Sequence, residues 1–373
     1  MKVIYVVRTF LHMFPPCLNQ IQYLRELGYD VVTIYGNCDE NTENLLHSIG
    51  VETFNLEINR STIKSVGKIQ SYIDYKKRVL MALSNKYSEG DLIWYGTVDS
   101  CFSLGSEHKK YPFVLNVLEL YDKNSFYEKG LRRVIKHAKA IVACEPTRAA
   151  IMKMWYNLDK RPYIMPNKPY KIPDINGEGT IKETQEIINM IKNKKVILYQ
   201  GIIASDRNLG LLADALHEIN DKDIYLGLMG KEINDSAIDL KKKYSQTIYL
   251  GYIPAPYHLE VTGNASIGVA YYKESSLNNL FCAPNKIYEY SGLGLPILCN
   301  DVPGLQNTVG AFRAGECIDF DNKKTLINAI KNIISNRSSY SQNSRELYDS
   351  VDNKQNIKKI LFDIGVMDNE NVL

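Results

Sequence analysis

An α/β protein of two parallel-sheet domains is what this sequence predicts, and three observations carry the prediction. Its 373 residues exceed what one ordinary core organises. Short apolar runs alternate with stretches of helical period along most of the chain, the rhythm of strand, crossover helix and parallel strand. That rhythm breaks over residues 165–179, MPNKPYKIPDINGEG, where Pro, Gly and Asn gather without a long apolar period, as in an interdomain linker. The expected division is a first domain over residues 1–168, a linker over 169–180, a second domain over 181–355, and a terminal stretch over 356–373 whose helix returns to the first domain.

Composition fits a soluble globular chain: 45% of residues are apolar and 23% charged, which argues against a disordered or membrane-spanning class. The start, MKVIYVVRTF, holds too brief an apolar run for a signal peptide, and no stretch approaches the ~20 apolar residues of a membrane span. Cys17, Cys38, Cys101, Cys144, Cys282, Cys299 and Cys317 are scattered without a C-x-x-C, which fits reduced cytoplasmic thiols rather than a disulfide frame or zinc site. Net charge is +3, with the basic excess in the first domain. No nucleic-acid partner is expected.

In order, residues 2–7 read as a strand, 17–27 as a helix ending at Gly28, and 31–35 as a second strand. The loop between holds His12 and two prolines but no glycine, so it is neither a G-x-G-x-x-G turn nor a Walker loop, and an NAD-dependent reading loses its support. Strand-like runs recur at 52–56, 91–95, 113–118 and 140–143. Ligands gather at the carboxyl ends of such strands, which singles out Thr97 and Asp99, Glu119 and Asp122, then Glu145 and Arg148. Residues 63–83 carry Lys64, Lys68, Lys76, Lys77 and Arg78 beside Val66, Ile69, Ile73 and Val79; residues 128–139 carry Lys129, Arg132, Arg133, Lys136 and Lys139. Such helices either rest on anionic headgroups or present a solvated face, the simpler reading.

In the second domain, residues 195–199 read as the first strand. Gln200-Gly201-Ile-Ile-Ala-Ser-Asp206-Arg207-Asn208 then leads into a helix with Leu209, Leu212, Leu216 and Ile219 at near-helical spacing. Gly201 lets backbone approach a ligand, and Arg207 suits a diphosphate through two parallel hydrogen bonds. Strands follow at 224–229, 248–250 and 266–271. A polar loop then holds Asn278 and Asn279, residue types that meet sugar hydroxyls and also favour turns.

Residues 281–300, FCAPNKIYEYSGLGLPILCN, read as loop, short helix and buried strand. Pro284 suits the first turn, Ile287, Tyr290 and Leu293 recur at helical spacing, and Gly292 and Gly294 end the helix. Its N-terminus, with Asn285 and Lys286, favours an anion. Lys286, Glu289 and Tyr290 fall at i, i+3 and i+4 on one face, so an ammonium for phosphate and a carboxylate for hydroxyls meet one nucleotide; the plainer reading is a weak surface pair. Cys282 reads as a small space-filler. Asp319-Phe320-Asp321 superficially matches a D-x-D metal clamp. It comes late in the chain, and Asp321 is placed to cap a helix over 323–334, so no metal and no cofactor are expected.

PNKIYEYSGLGLPIL resembles the donor-binding signature of GT-B glycosyltransferases, above all the family 4 nucleotide-sugar enzymes of bacterial capsule, exopolysaccharide and cell-envelope assembly. YQGIIASDRNLGLL is similar to the family's Y-x-G segment with its following basic residue, and Gly251-Tyr252-Ile253-Pro254 to the loop whose backbone receives the base. The resemblance spans most of the chain. It implies two Rossmann-like domains facing across a cleft, the donor on the second and a saccharide or lipid-linked saccharide acceptor on the first. It also implies hexosyl transfer from a nucleotide sugar, a UDP-sugar by kinship, with Glu289 on the ribose and Arg207 and Lys286 on the pyrophosphate. The place of action is the cytoplasm, or the inner face of its membrane where the basic helices dock.

Three departures stand out. Phe281 replaces the first carboxylate of Glu-x7-Glu, Ile202 replaces an Arg after Gly201, and Leu118 replaces the His of a His-Glu pair. Lys286 and Glu289 also match the spacing in a subgroup that includes a xanthan glucuronosyltransferase. A retaining mechanism is favoured; an inverting one requires Glu119 or Asp122 as base. A nucleotide-sugar 2-epimerase of the same fold and a catalytically inert carbohydrate-binding relative are the alternatives. A two-domain solute-binding protein would need an export signal.

Overall fold

The computed structural model describes residues 1–58, 66–175 and 177–367. Two compact units make up the chain, Met1–Tyr170 with Asp352–Leu373, and Lys171–Val351.

The first unit holds seven parallel strands: β1 (Lys2–Phe10), β2 (Asp30–Asn37), β3 (Glu52–Asn55), β4 (Leu92–Tyr95), β5 (Phe113–Val117), β6 (Ala140–Ala143) and β7 (Tyr163–Ile164). Their order is β3-β2-β1-β4-β5-β6-β7. Strand β1 is central, so both its faces are covered and its sequence is a continuous apolar run rather than an alternation. Val3, Tyr5 and Val7 pack with Leu11, Ile21 and Trp94, and Ile4 and Val6 are equally buried. The last helix, Asn353–Asp363, belongs here: Ile357, Ile360 and Leu361 join the same cluster, and Lys354 Nζ lies 2.6 Å from Glu26 Oε1.

The second unit repeats the plan with β8 (Lys195–Gln200), β9 (Ile224–Met229), β10 (Thr247–Gly251), β11 (Ile267–Ala270), β12 (Ile297–Asn300) and β13 (Gly315–Ile318), ordered β10-β9-β8-β11-β12-β13. Val196 and Leu198 of β8 enter one core cluster, Ile197 and Tyr199 the other. Gly268 on β11 is required by packing, since a Cβ there would lie 2.4 Å from the Tyr290 ring. Without one, the helix Asn285–Gly292 settles on the sheet and Tyr290 Oη donates to Val269 O at 3.2 Å.

Several expectations need correction. The basic helix expected over 63–83 spans Val66–Lys86; Ile63 and Lys64 lie outside the described residues, and the side chains of Val66 and Lys68 are not among those described. Its core face is Tyr75, Val79 and Leu83, whereas Ile69 and Ile73 are 67% and 63% exposed. At ~100° per residue, positions 73 and 75 point to opposite sides, so one helix cannot bury both sets. The second basic segment is a helix only over Ser125–Val134, followed by a tighter turn at Ile135–His137. Asp321 does not cap the helix Lys323–Ser335: Asn322 does, accepting from Lys324 N at 3.0 Å, while Asp321 Oδ1 accepts from Asn208 Nδ2 at 2.8 Å.

Candidate functional site

In each sheet the strand order reverses once, between β1 and β4 and between β8 and β11. Such a reversal leaves a crevice at the strands' carboxyl ends, where ligands of open α/β sheets bind. In the second unit, Gly201 follows β8 at that point. Its φ of +131° belongs to glycine, and a Cβ there would stand 3.3 Å from Lys286 Nζ.

Lys286 occupies the first turn of Asn285–Gly292, with Asn285 before it as the first helical residue and Pro284 as the extended N-cap. The Lys286 ammonium lies 4.6 Å from the Tyr199 ring centre and 5.8 Å from that of Tyr272. Among the described residues it has no hydrogen-bond acceptor and no carboxylate in ion-pair range. Burial, then repulsion from Arg207, lower its pKa to about 8, against a smaller opposing pull from Glu289. Two cations and the positive end of a helix thus share one region, and among the described residues no carboxylate comes within ion-pair range of the Lys286 ammonium, an arrangement that favours binding an anion.

Arg207 ends the short turn Ser205–Arg207, ahead of the helix Leu209–Ile219. Its buried Nε makes no hydrogen bond among the described residues, and Asp206 Oδ1 is 3.5 Å away. An open recess of about 680 Å³ borders this turn, but Asp206, Glu274, Asp301 and Asp319 on its wall oppose an anion there. Lys286 and Glu289 are not part of that wall.

Glu289 lies one turn after Lys286. Its Oε2 accepts from Gln200 Nε2 and faces His258 Nε2 at 3.6 Å, while Gln200 Oε1 accepts from Thr262 Oγ1 at 2.8 Å. Sequence reasoning missed Gln200, His258 and Thr262. A polar residue closing the apolar strand β8 was a usable signal for Gln200; His258 and Thr262 offered none.

The other expected donor residues are placed as follows. Tyr252 is 60% exposed, with Lys231 Nζ 5.1 Å from its ring centre, and Ile253 turns its side chain into the core, which leaves its backbone for any ligand. Asn279 Nδ2 donates to Lys273 O at 2.8 Å, so its amide N–H ties down its own loop. Cys282 is buried in the core cluster. Tyr290, one turn after Lys286, is wholly buried.

Glu119 and Asp122 belong to the first unit, after β5. Glu119 Oε2 lies 3.8 Å from Arg148 Nη1, and Asp122 follows Tyr121, whose φ is +61°. Glu145 caps the helix Pro146–Tyr156. At this unit's own strand reversal Asp99 is committed to Arg8, at 2.6 Å from Nε, and accepts from Tyr127 Oη at 3.1 Å. Among the described residues, His12, Cys38 and Asp39 bring ligand atoms within 4.8 Å of one another. Local bonds explain that grouping: Asp39 N donates to His12 Nδ1 at 3.1 Å, and Asp39 Oδ1 caps the next helix from Thr42 N at 2.9 Å.

Residues 194–336 match the family model described as Glycosyl transferases group 1. No curated protein matches the chain. Solved structures match it end to end. Anabaena Alr3699/HepE in complex with UDP and glucose has a TM-score of 0.67 at 14% identity, over 98% of this chain and 100% of that one. Sucrose-phosphate synthase from Thermosynechococcus elongatus has 0.69 at 16%, over 98% of each. MnaA of S. aureus with UDP has 0.65 at 13%, again over 98% of each. The fold these similarities establish is GT-B.

Proposed function

We propose that this chain, a GT-B protein whose residues 194–336 carry a group 1 glycosyltransferase domain, moves a hexose-type sugar from a nucleoside diphosphate donor to an acceptor hydroxyl. One observation carries the reading: the Lys286 ammonium stands beside Gly201, in the field of Arg207, with no carboxylate in ion-pair range among the described residues. A departing pyrophosphate supplies the missing negative charge.

The barrier in such a transfer is loss of the nucleoside diphosphate from the anomeric carbon as positive charge grows there. Cations already in place stabilise the leaving group without reorganising, and do so most in the transition state. Arg207 and Lys286 take the diphosphate, and Glu289 takes the ribose through Oε1. The backbone around Tyr252 and Ile253 takes the base, with Asn279 and Asn285 toward the sugar. That HepE and MnaA were each solved with UDP supports a uridine donor. The acceptor is a saccharide or lipid-linked saccharide, and the basic helices of the first unit meet anionic headgroups.

The transfer is retaining and needs no metal: the acceptor hydroxyl forms the new bond to the anomeric carbon while its proton passes to the leaving phosphate oxygen. With inversion, Glu119 or Asp122 takes that proton instead. A thermal-shift screen of UDP-, GDP- and ADP-sugars, followed by NMR of the product anomer with and without EDTA, tests the whole. Stabilisation by one donor class is expected. Absence of stabilisation together with absence of nucleotide release would end the transferase reading.

A further inference from the structure

The helix His258–Gly263 sends two side chains toward Glu289, one directly and one through Gln200. Thr262 Oγ1 lies 2.8 Å from Gln200 Oε1, and Gln200 Nε2 donates to Glu289 Oε2. His258 Nε2 approaches the same carboxylate oxygen from its own helix, at 3.6 Å. That distance exceeds a hydrogen bond, and contacts of this kind commonly tighten once a ligand engages the carboxylate. Both side chains are largely buried, and His258 Nδ1 is buried without a hydrogen-bond partner among the described residues. Among the described residues, the side-chain hydrogen bond that Glu289 accepts runs to Oε2, from Gln200.

A carboxylate on a short helix otherwise samples several rotamers, and binding must then bear the cost of selecting one. An imidazole with its proton on Nε2, or an imidazolium, presents an N–H to Oε2. We propose that His258 is the positioning residue of the ribose carboxylate: with Gln200 it holds Glu289 Oε2, so that Oε1 is presented to the ribose hydroxyls of the donor. This rests on the nucleotide-sugar reading above. It adds a residue that makes the site sensitive to the sugar of the nucleotide rather than to its phosphates.

The test compares calorimetric affinities of UDP with 2′-deoxy-UDP, and likewise GDP with dGDP and ADP with dADP, for the wild type, His258→Phe and His258→Gln. The wild type is expected to prefer one ribonucleotide over its deoxy form by about tenfold, the worth of a hydrogen bond to a charged group. In His258→Phe the preference collapses, the donor KM rises and kcat at saturating donor is unchanged. His258→Gln, whose amide keeps an N–H for Oε2, restores the preference. Should the Phe variant fail to fold, His258→Ala carries the same expectation without the bulk of the ring. An unchanged ribose preference in a folded Phe or Ala variant overturns the role of His258 and leaves the nucleotide reading standing. No binding of any nucleoside diphosphate by the wild type overturns that reading, and this inference with it.

Discussion

Lys286 packs against Gly201: its ammonium lies 3.3 Å from the point where a Cβ on residue 201 would stand. The strand end that lacks a side chain and the helix start that carries a cation thus form one surface, and the consequences of that pairing are measurable.

On the proposed reading, deleting either cation removes charge stabilisation aimed at a leaving diphosphate. Lys286→Ala and Arg207→Ala are each expected to raise the transition-state barrier by about 2–4 kcal/mol, read from kcat/KM for the donor. Near-normal turnover in both would take the chemistry away from this site.

A methyl group at residue 201 acts on backbone and ammonium together. Gly201→Ala forces an L-residue into a φ of +131°, at a cost of about 1–3 kcal/mol in stability, and crowds Lys286 Nζ. The melting temperature is expected to fall and the donor KM to rise. A variant with unchanged melting and unchanged KM would show that neither constraint operates.

The pH dependence follows from Lys286, whose pKa of about 8 lies below its ordinary 10.5. If Lys286 holds the diphosphate as proposed, it does so in the protonated form, so donor affinity is expected to be flat below about pH 8 and to weaken by up to about tenfold per pH unit above it. Binding above that pH takes up a proton, which calorimetry in buffers of different ionisation enthalpy detects. Stability without donor runs the other way. Between about 8 and 10.5 the unfolded chain holds a proton that the folded chain has released, so folding gains with rising pH. Lys286→Met should abolish both trends, and a break that persists in that variant belongs to another group.

The proposed contact with anionic headgroups is tested on one helix face. Ile69, Ile73 and the exposed Lys77 lie at successive four-residue steps along the helix Val66–Lys86. Ile69→Glu, Ile73→Glu and Lys77→Glu are each expected to reduce cosedimentation with phosphatidylglycerol vesicles, the Lys reversal, a change of two charges, by about 2 kcal/mol at low salt. Equal sedimentation of all variants, or none by the wild type, would identify this as a solvated face.

Much of this was legible in the sequence because it is local. The apolar runs of β1, β8 and β12 mark central strands buried on both faces. The i, i+3 spacing of Lys286 and Glu289 places both on one helix whatever surrounds it. Other features were not legible, for reasons visible at particular residues. Asp321 and Asn322 are both good caps, and only the bond from Asn208 shows that Asp321 is engaged elsewhere. Ile69, Ile73, Val79 and Leu83 are equally apolar letters, and only the sheet beneath selects which of them it covers.

What the chain alone determined is what covalent spacing controls: alternating elements, two parallel-sheet domains, and a cation and a carboxylate one helical turn apart. What only the folded molecule decided is the state of those groups. The lowered Lys286 pKa arises from burial and from Arg207 on another loop, and the hold on Glu289 comes from Gln200 and His258 on two further elements. Fields and hydrogen bonds act through space, and distance in space is set by packing rather than by position along the chain.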